Sequence, residues 1–421
     1  MHFRSMLRSV TALVFMFSVL VTGCTNSKPT AGGKTSATAT LFPTATLANA
    51  DANATLVAKG EATTVHEPTL GPLPPRQEAR MDSPEYGMQV FPWWRPEVGS
   101  RDMQVVRDAG FTWVKVIFAW RDIEGAAKGA FDWSRTDAIV DMANSFGVKL
   151  LVRIDNQPQW TGGGFPVNGP PDNLQDLADF LTALVSRYQG RIQAYQIWNE
   201  PNLAREWGGK TPDPGAFARL LKTAYQAIRT IDPGALVISG GFSPTGTWDD
   251  NTRPDDWYLK TLYIEMNGNS EGYYDLLGLH APGFKAAPET DPATVEADKE
   301  MGGQRAFCFR HIEDMRQIMV ENGDADKQVA ILEFGWTSDP RPDSPYYWHA
   351  VTEAQKADYL VGAYQYAKAN WSPWIGLMCL IYIVDPDWTE QNEQYWWAIS
   401  DPGYPDFKPR DAYNALKAMP K

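Results

Sequence analysis

The sequence predicts an α/β fold, a (β/α)8 TIM barrel forming a single domain. Three observations point to it. Short apolar runs alternate with amphipathic segments eight times without interruption. The apolar runs are continuous rather than alternating with polar residues, as expected of parallel strands covered on both faces. The amphipathic segments carry apolar residues at three- and four-residue spacing, and several stop at glycine.

In order, the series opens at Tyr86 with the strand YGMQVF and a helix PEVGSRDMQVVRDAG. Strand two is WVKVIFAW (Trp113 to Trp120), and its helix WSRTDAIVDMANSFG is stopped by Gly147. Strand three is KLLVRI (Lys149 to Ile154), followed by the helix NLQDLADFLTALVSRYQG. Strand four, IQAYQIW, precedes the helix PGAFARLLKTAYQAIRTI, and strand five is ALVISG. A helix around Asp256 to Asn267 leads to strand six, YDLLGLH. A helix around Arg305 to Glu321 leads to strand seven, KQVAILEFG. A helix from Glu353 to Asn370 leads to strand eight, WIGLMCLIYIV, and DAYNALKAM closes the chain as a helix. At about 335 residues the body exceeds the usual barrel of about 250. The excess falls in five long segments: Asp155 to Pro171, Thr245 to Pro254, Ala281 to Met301, Ser338 to His349 and Asp385 to Asp401. All five follow strands, where a barrel builds its active face.

The first 80 residues read differently. Arg4 and Arg8 make a basic start, and the apolar run Ser9 to Val21 is too short to span a membrane comfortably. Small residues then precede Cys24. This arrangement resembles a bacterial lipoprotein signal, so residues 1–24 are expected to be an export signal ending in a lipidated Cys24. An ordinary secretory signal or an uncleaved anchor is the alternative. Residues 25–80 are rich in Thr, Ala, Pro, Gly and Asn and buy too little apolar burial to order themselves. Such a coil would hold the body, residues 81–421, roughly 40 Å from the membrane on average. The expected location is the extracellular face of the bacterial cell membrane, reached through lipid chains alone.

The net charge of −13 argues against nucleic acid and anionic surfaces as partners. Seventeen tryptophans, 17 tyrosines and 18 phenylalanines exceed what core packing alone asks for, and their flat rings suit sugar faces as well as protein partners. Cys308 and Cys379 form no disulfide framework, and two buried free thiols are favoured over one bridge.

Two carboxylates end strands. Glu200 closes strand four, where Pro201 restricts its backbone to extended conformations. The bland reading has Glu200 capping the next helix or pairing with Arg205, although that helix starts only near Asp213. Glu333 ends strand seven after four apolar residues, so it is partly buried and needs a partner or a task. Strands four and seven face each other across a barrel mouth. Two facing carboxylates suit glycosidic bond cleavage, one protonating the leaving oxygen and the other attacking or activating water. The charge of the attacking group is expected to raise the pKa of the acid. This chemistry requires no metal or cofactor, and none is expected.

WNEP (Trp198 to Pro201) and EFGW (Glu333 to Trp336) resemble the two signatures of clan A glycoside hydrolases, with WNEPN leaning toward families 39, 51 and 5. The resemblance covers the whole body and implies a retaining β-glycosidase. It makes Glu200 the acid/base, Glu333 the nucleophile and Asn199 a ligand of the sugar hydroxyl beside the reacting carbon. Strict alternation would point Asn199 and Glu200 to opposite faces, so the strand must bend at its end. The resemblance also places His280, at the end of strand six, near the nucleophile, with packing at the rim as the alternative. Tyr382 and Trp388 compete for the stacking aromatic after strand eight. Trp120, Trp160 and Trp336 are further candidates for sugar contact, and Trp93, Trp94, Trp396 and Trp397 for a longer cleft. Arg153 and Asp155 are as well explained by a salt-bridged rim.

The expected partner is thus an extracellular carbohydrate substrate, acted on by a monomer. A surface lipoprotein that binds carbohydrate without turnover is the alternative; it would be expected to have lost a glutamate. A transporter's solute-binding lipoprotein, with two lobes, would break the eightfold series.

Overall fold

The computed structural model describes residues 81–421. Cys24, the export signal and the linker lie outside the described residues. Eight parallel strands close into a barrel in sequence order: β1 (Glu85–Gln89), β2 (Trp113–Ala119), β3 (Lys149–Asp155), β4 (Ala194–Ile197), β5 (Leu236–Ser239), β6 (Leu276–Pro282), β7 (Gln328–Gly335) and β8 (Ile375–Leu380). β1 pairs with both β2 and β8, which completes the closure.

The helices are α1 (Gly99–Asp108), α2 (Trp120–Ile123), α3 (Ser134–Phe146), α4 (Leu174–Tyr188), α5 (Pro214–Ile231), α6 (Asp255–Glu265), α7 (Pro292–Ala297), α8 (His311–Glu321), α9 (Glu353–Asn370), α10 (Glu393–Trp397) and α11 (Asp411–Ala418). Their ends follow local chemistry. Asn173 caps α4, and Asp213 caps α5 with Pro214 in its first turn. Thr352 and Gln355 form a reciprocal capping box on α9. Gly147 ends α3 in the left-handed conformation.

Several boundaries differ from the sequence expectation. β4 stops at Ile197, because Trp198 takes φ 69°, which a strand cannot continue. β8 stops at Leu380; beyond it Ile383 bonds back to Gln89 and Ile399 to Tyr382. α8 starts at His311 rather than Arg305, after a turn through Gly302 and Gly303, both at positive φ. α7 and α10 arise inside two of the long segments, and Ser400–Asp401 pairs antiparallel with Lys408–Pro409 near the C-terminus.

The barrel interior is layered. Trp113, Leu151, Ala194, Ile238, Leu276, Ala330, Leu377 and Cys379 fill the lower part. Gly87 leaves room there, since a Cβ would stand 2.5 Å from the Cys379 sulfur. One step up, alternation turns Lys115, Arg153 and Gln196 inward from β2, β3 and β4, all buried. The apolar layer thus gives way to a polar one toward the strands' C-terminal ends. Cys308 and Cys379 are separate free thiols, both buried.

Candidate active site

Glu200 and Glu333 reach the same space by two different backbone irregularities. In the chain after β4, Trp198 and Glu200 both adopt left-handed φ, 69° and 35°, which is rare for residues with a Cβ. This is the required bend. The turn is held by the Glu200 amide donating to the Gly241 carbonyl (2.9 Å), and by the Trp198 indole donating to the Glu206 carbonyl (2.7 Å). On β7, Leu279 pairs with Ile331 but His280 pairs with Glu333, so Leu332 is one residue too many. The bulge resets the alternation. Leu332 packs in the barrel core, Phe334 turns outward against Phe309 and Tyr364, and Glu333 comes to lie beside His280.

His280 connects the two carboxylates. Its Nδ1 lies 3.2 Å from Glu200 Oε1 and 3.9 Å from Glu333 Oε2, with all three side chains buried. Its other ring nitrogen, Nε2, is buried without a protein partner. Gly241 makes room for the ring, since a Cβ there would sit 2.2 Å from His280 Cδ2.

Each carboxylate also has a cation. Lys115 Nζ donates to Glu333 Oε1 at 2.7 Å and to the Leu332 carbonyl at 3.1 Å. Arg153 approaches the same oxygen at 3.8 Å while bound to Asp155 at 2.6 Å through Nε. Burial alone would raise the Glu333 pKa, but Lys115, His280 and Arg153 together hold it below the usual carboxylate range. Arg205 Nη2 stands 2.5 Å from Glu200 Oε2. Burial pushes Glu200 up as well, yet Arg205 and His280 bring its pKa down to about 2. This corrects the expected raised acid. In the unliganded protein both glutamates are ionised, and Glu200 does pair with Arg205. It does not cap α5, which Asp213 caps.

Asn199 is buried beside Glu200. Its Oδ1 accepts from Gln196 Nε2 (3.3 Å), and its amide nitrogen faces Glu206 Oε1 at 3.5 Å. Tyr382 is buried, close enough for the Glu333 charge to add to the burial that raises its phenol. Its ring meets Trp388 edge-on at 5.2 Å, and Phe91 contacts both. Tyr382 and Trp388 are therefore neighbours in one aromatic cluster.

Trp120 and Trp336 do not present themselves to a ligand. Trp120 is sealed, stacked on Phe180 at 4.9 Å, with its indole bonded to Glu124. Trp336 is sealed between Phe309 and Tyr359, and donates to the Ala286 carbonyl. Trp160 is half-buried and meets Trp120 edge-on. Trp93 and Trp397 are buried, Trp94 is exposed, and Trp396 is half-buried. Trp396 helps line a groove of about 530 Å³ with Lys285, Ser338, Tyr347, Trp348 and Glu353, all from segments following β6, β7 and β8.

Sequence reasoning missed Lys115 and Glu206. Lys115 had a signal, a lone cation inside the apolar run WVKVIFAW. Glu206 had none, because it lies in a short turn, Ala204–Glu206, among other polar residues.

The chain is thus a closed parallel barrel with two buried carboxylates around one histidine at the C-terminal ends of its strands. Residues 77–265 match the sequence model of Cellulase (glycosyl hydrolase family 5), and this match supports a glycosidase. The fold is similar to a family 39 glycoside hydrolase from the gut symbiont Bacteroides cellulosilyticus WH2, at 21% identity and TM-score 0.57, over 80% of this chain and 63% of that one. It is also similar to a family 5 subfamily 18 protein from Streptomyces cattleya crystallised with GlcNAc, at 16% identity and TM-score 0.58, over 80% of each chain. A glucosidase from Croceicoccus marinus is similar at 14% identity and TM-score 0.57, over 81% of this chain and 68% of that one. The chain thus spans less than two thirds of the length of the family 39 protein.

Proposed function

We propose that the protein is a retaining β-glycosidase, with Glu200 as acid/base and Glu333 as nucleophile, acting on an extracellular poly- or oligosaccharide. The observation that carries this reading is the shared histidine. Because one His280 nitrogen lies 3.2 and 3.9 Å from the two carboxylates, their nearest oxygens can be no farther apart than those distances end to end. That leaves only the lower edge of the separations of about 6.5–9.5 Å that inversion uses, and includes the about 5–5.5 Å of retention.

In this reading Glu333 attacks the anomeric carbon as Glu200 gives its proton to the departing oxygen, leaving a glycosyl ester on Glu333. Glu200, now a carboxylate, then takes a proton from water as that water attacks the anomeric carbon, breaking its bond to Glu333 and releasing Glu333 as a carboxylate. Lys115 and Arg153 keep Glu333 ionised for the first step. For Glu200 to carry a proton, Arg205 must draw back from Oε2. The Arg205 side chain is 30% exposed, so solvent gives it somewhere to go. Asn199 binds the hydroxyl next to the reacting carbon. Tyr382 and Trp388 supply ring surface, and the groove at Tyr347, Trp348 and Trp396 has the aromatic and polar lining of a longer cleft. The lipid anchor at Cys24 would hold the monomer at the outer face of the cell membrane.

The Arg205–Glu200 pair favours a second reading, a surface lipoprotein that binds carbohydrate without turnover, since it ties up the acid. Incubating the full chain with a panel of β-linked oligosaccharides and aryl β-glycosides separates the two. Early proton NMR spectra should show the β-anomer of the product first. The α-anomer first would contradict retention, and binding without hydrolysis would support the second reading.

A further inference from the structure

Glu206 belongs to none of the roles above, yet it touches the acid/base turn at two points. Its carbonyl accepts the Trp198 indole N–H at 2.7 Å. Its carboxyl faces the Asn199 amide nitrogen at 3.5 Å through Oε1, and accepts from Asn168 Nδ2 at 2.6 Å through Oε2. Asn168 is itself fixed: its side-chain oxygen takes the Asn156 amide (2.8 Å) and its carbonyl takes the Gly208 amide (2.6 Å). The turn is short, since Leu203 bonds back to Glu200 and Glu206 to Leu203.

We propose that Glu206 is the positioning residue of the acid/base turn: its main chain holds Trp198 and its carboxyl holds Asn199, so one residue fixes the bend that aims Glu200. The proposal rests on Glu200 being the acid/base. It accounts for how two left-handed residues persist in succession around Asn199, because such backbone survives only where the surroundings over-determine it. It also gives a buried carboxyl a task, where otherwise its burial would be all cost.

The charge of Glu206 matters as well as its shape. Burial pushes its pKa up to about 7; Glu200 and Asp155 add to the rise, while Arg153 and Arg205 hold it back. The groups facing it are therefore Arg153 and Asp155 from β3, Glu200 and Arg205 from its own loop, and the neutral Asn168 and Asn199. Ionised, Glu206 accepts from both amides and its charge disfavours a second carboxylate at Glu200, which opposes the pull of Arg205. Neutral, it loses one acceptor and that push.

Two variants of the full chain test this, Glu206→Gln, which keeps the shape without the charge, and Glu206→Ala, which removes both. Backbone hydrogen exchange over residues 198–207, measured without substrate, should rise at least tenfold in Glu206→Ala and less in Glu206→Gln. In turnover, kcat should fall about 100-fold in Glu206→Ala, as for a misplaced catalytic group. In Glu206→Gln it should fall about tenfold, and the kcat–pH profile should lose an ionisation near neutrality while KM stays within threefold. Unchanged exchange in both variants, or a Glu206→Gln profile that superimposes on wild type, overturns the proposal. If the wild-type protein hydrolyses nothing in the glycan panel, the glycosidase reading fails instead, and exchange alone then decides whether Glu206 holds the turn.

Discussion

Lys115 Nζ stands 2.7 Å from Glu333 Oε1, on strands β2 and β7, with the lysine side chain wholly sealed from solvent. Burial pushes the Lys115 pKa down, and the neighbouring Glu333 charge pulls it back up. The ammonium also holds the Leu332 carbonyl, the residue at the bulge that turns Glu333 inward. Replacing it by an apolar residue leaves a buried carboxylate short of its principal counter-charge. Lys115→Met should lower stability by about 3–5 kcal/mol in denaturant unfolding. In the proposed reaction it should also reduce kcat at least tenfold, because there a Glu333 that ionises less readily attacks less.

Arg205 sets the protonation of Glu200. With Glu200 held at about 2 by Arg205 and His280 against the effect of burial, removing the guanidinium should let its pKa rise. A guanidinium beside a carboxylate lowers its pKa by about 1–3 units. Arg205→Gln should therefore move the alkaline limb of the kcat/KM–pH profile to higher pH by about one unit or more. No shift would show that Arg205 does not hold down the Glu200 pKa in the free protein, and a shift to lower pH would contradict the pairing outright.

Gly241 serves two ends of the site, accepting the Glu200 amide through its carbonyl and leaving space for the His280 ring. Gly241→Ala should displace His280, reducing kcat about 100-fold. The loss of stability should be about 1–3 kcal/mol as for a modest overpacking, which leaves a folded protein with reduced turnover. Thermal unfolding and kinetics on the same preparation check the contrast.

His311 offers a stability test away from the site. Its Nε2 lies 2.9 Å from Asp255 and its Nδ1 3.1 Å from Asp314. Burial would lower its pKa, but the two carboxylates raise it from 6.5 to about 10. A folded value above the unfolded one means the stabilisation is complete below about pH 6.5 and is lost as pH rises toward 10. Denaturant unfolding across that window should show wild type losing stability relative to His311→Gln. A constant difference from pH 6 to 10 would count against a charged His311.

Most of the architecture was legible because barrel strands are buried on both faces and announce themselves as apolar runs. Glu200 and Glu333 were legible for the same reason, as carboxylates at the ends of such runs. What brings them together was not. The left-handed residues Trp198 and Glu200 lie in a WNEP stretch that contains no glycine, and the extra residue Leu332 is one leucine among apolar neighbours. Trp120 and Trp336 misled because a tryptophan after a strand can turn toward the helices as readily as toward the mouth, and here Phe180 and Phe309 receive them. Glu206 depends on a turn whose path is fixed by Asn168, a residue 38 positions away.

The central claim is that Glu200 and Glu333 act on one glycosidic bond. Its most direct test is the turnover of wild type, Glu200→Gln and Glu333→Gln on a common substrate found with the glycan panel, with folding checked by thermal unfolding. The account predicts that each variant stays folded and loses kcat by about a thousandfold or more. A wild-type rate in either variant would contradict it.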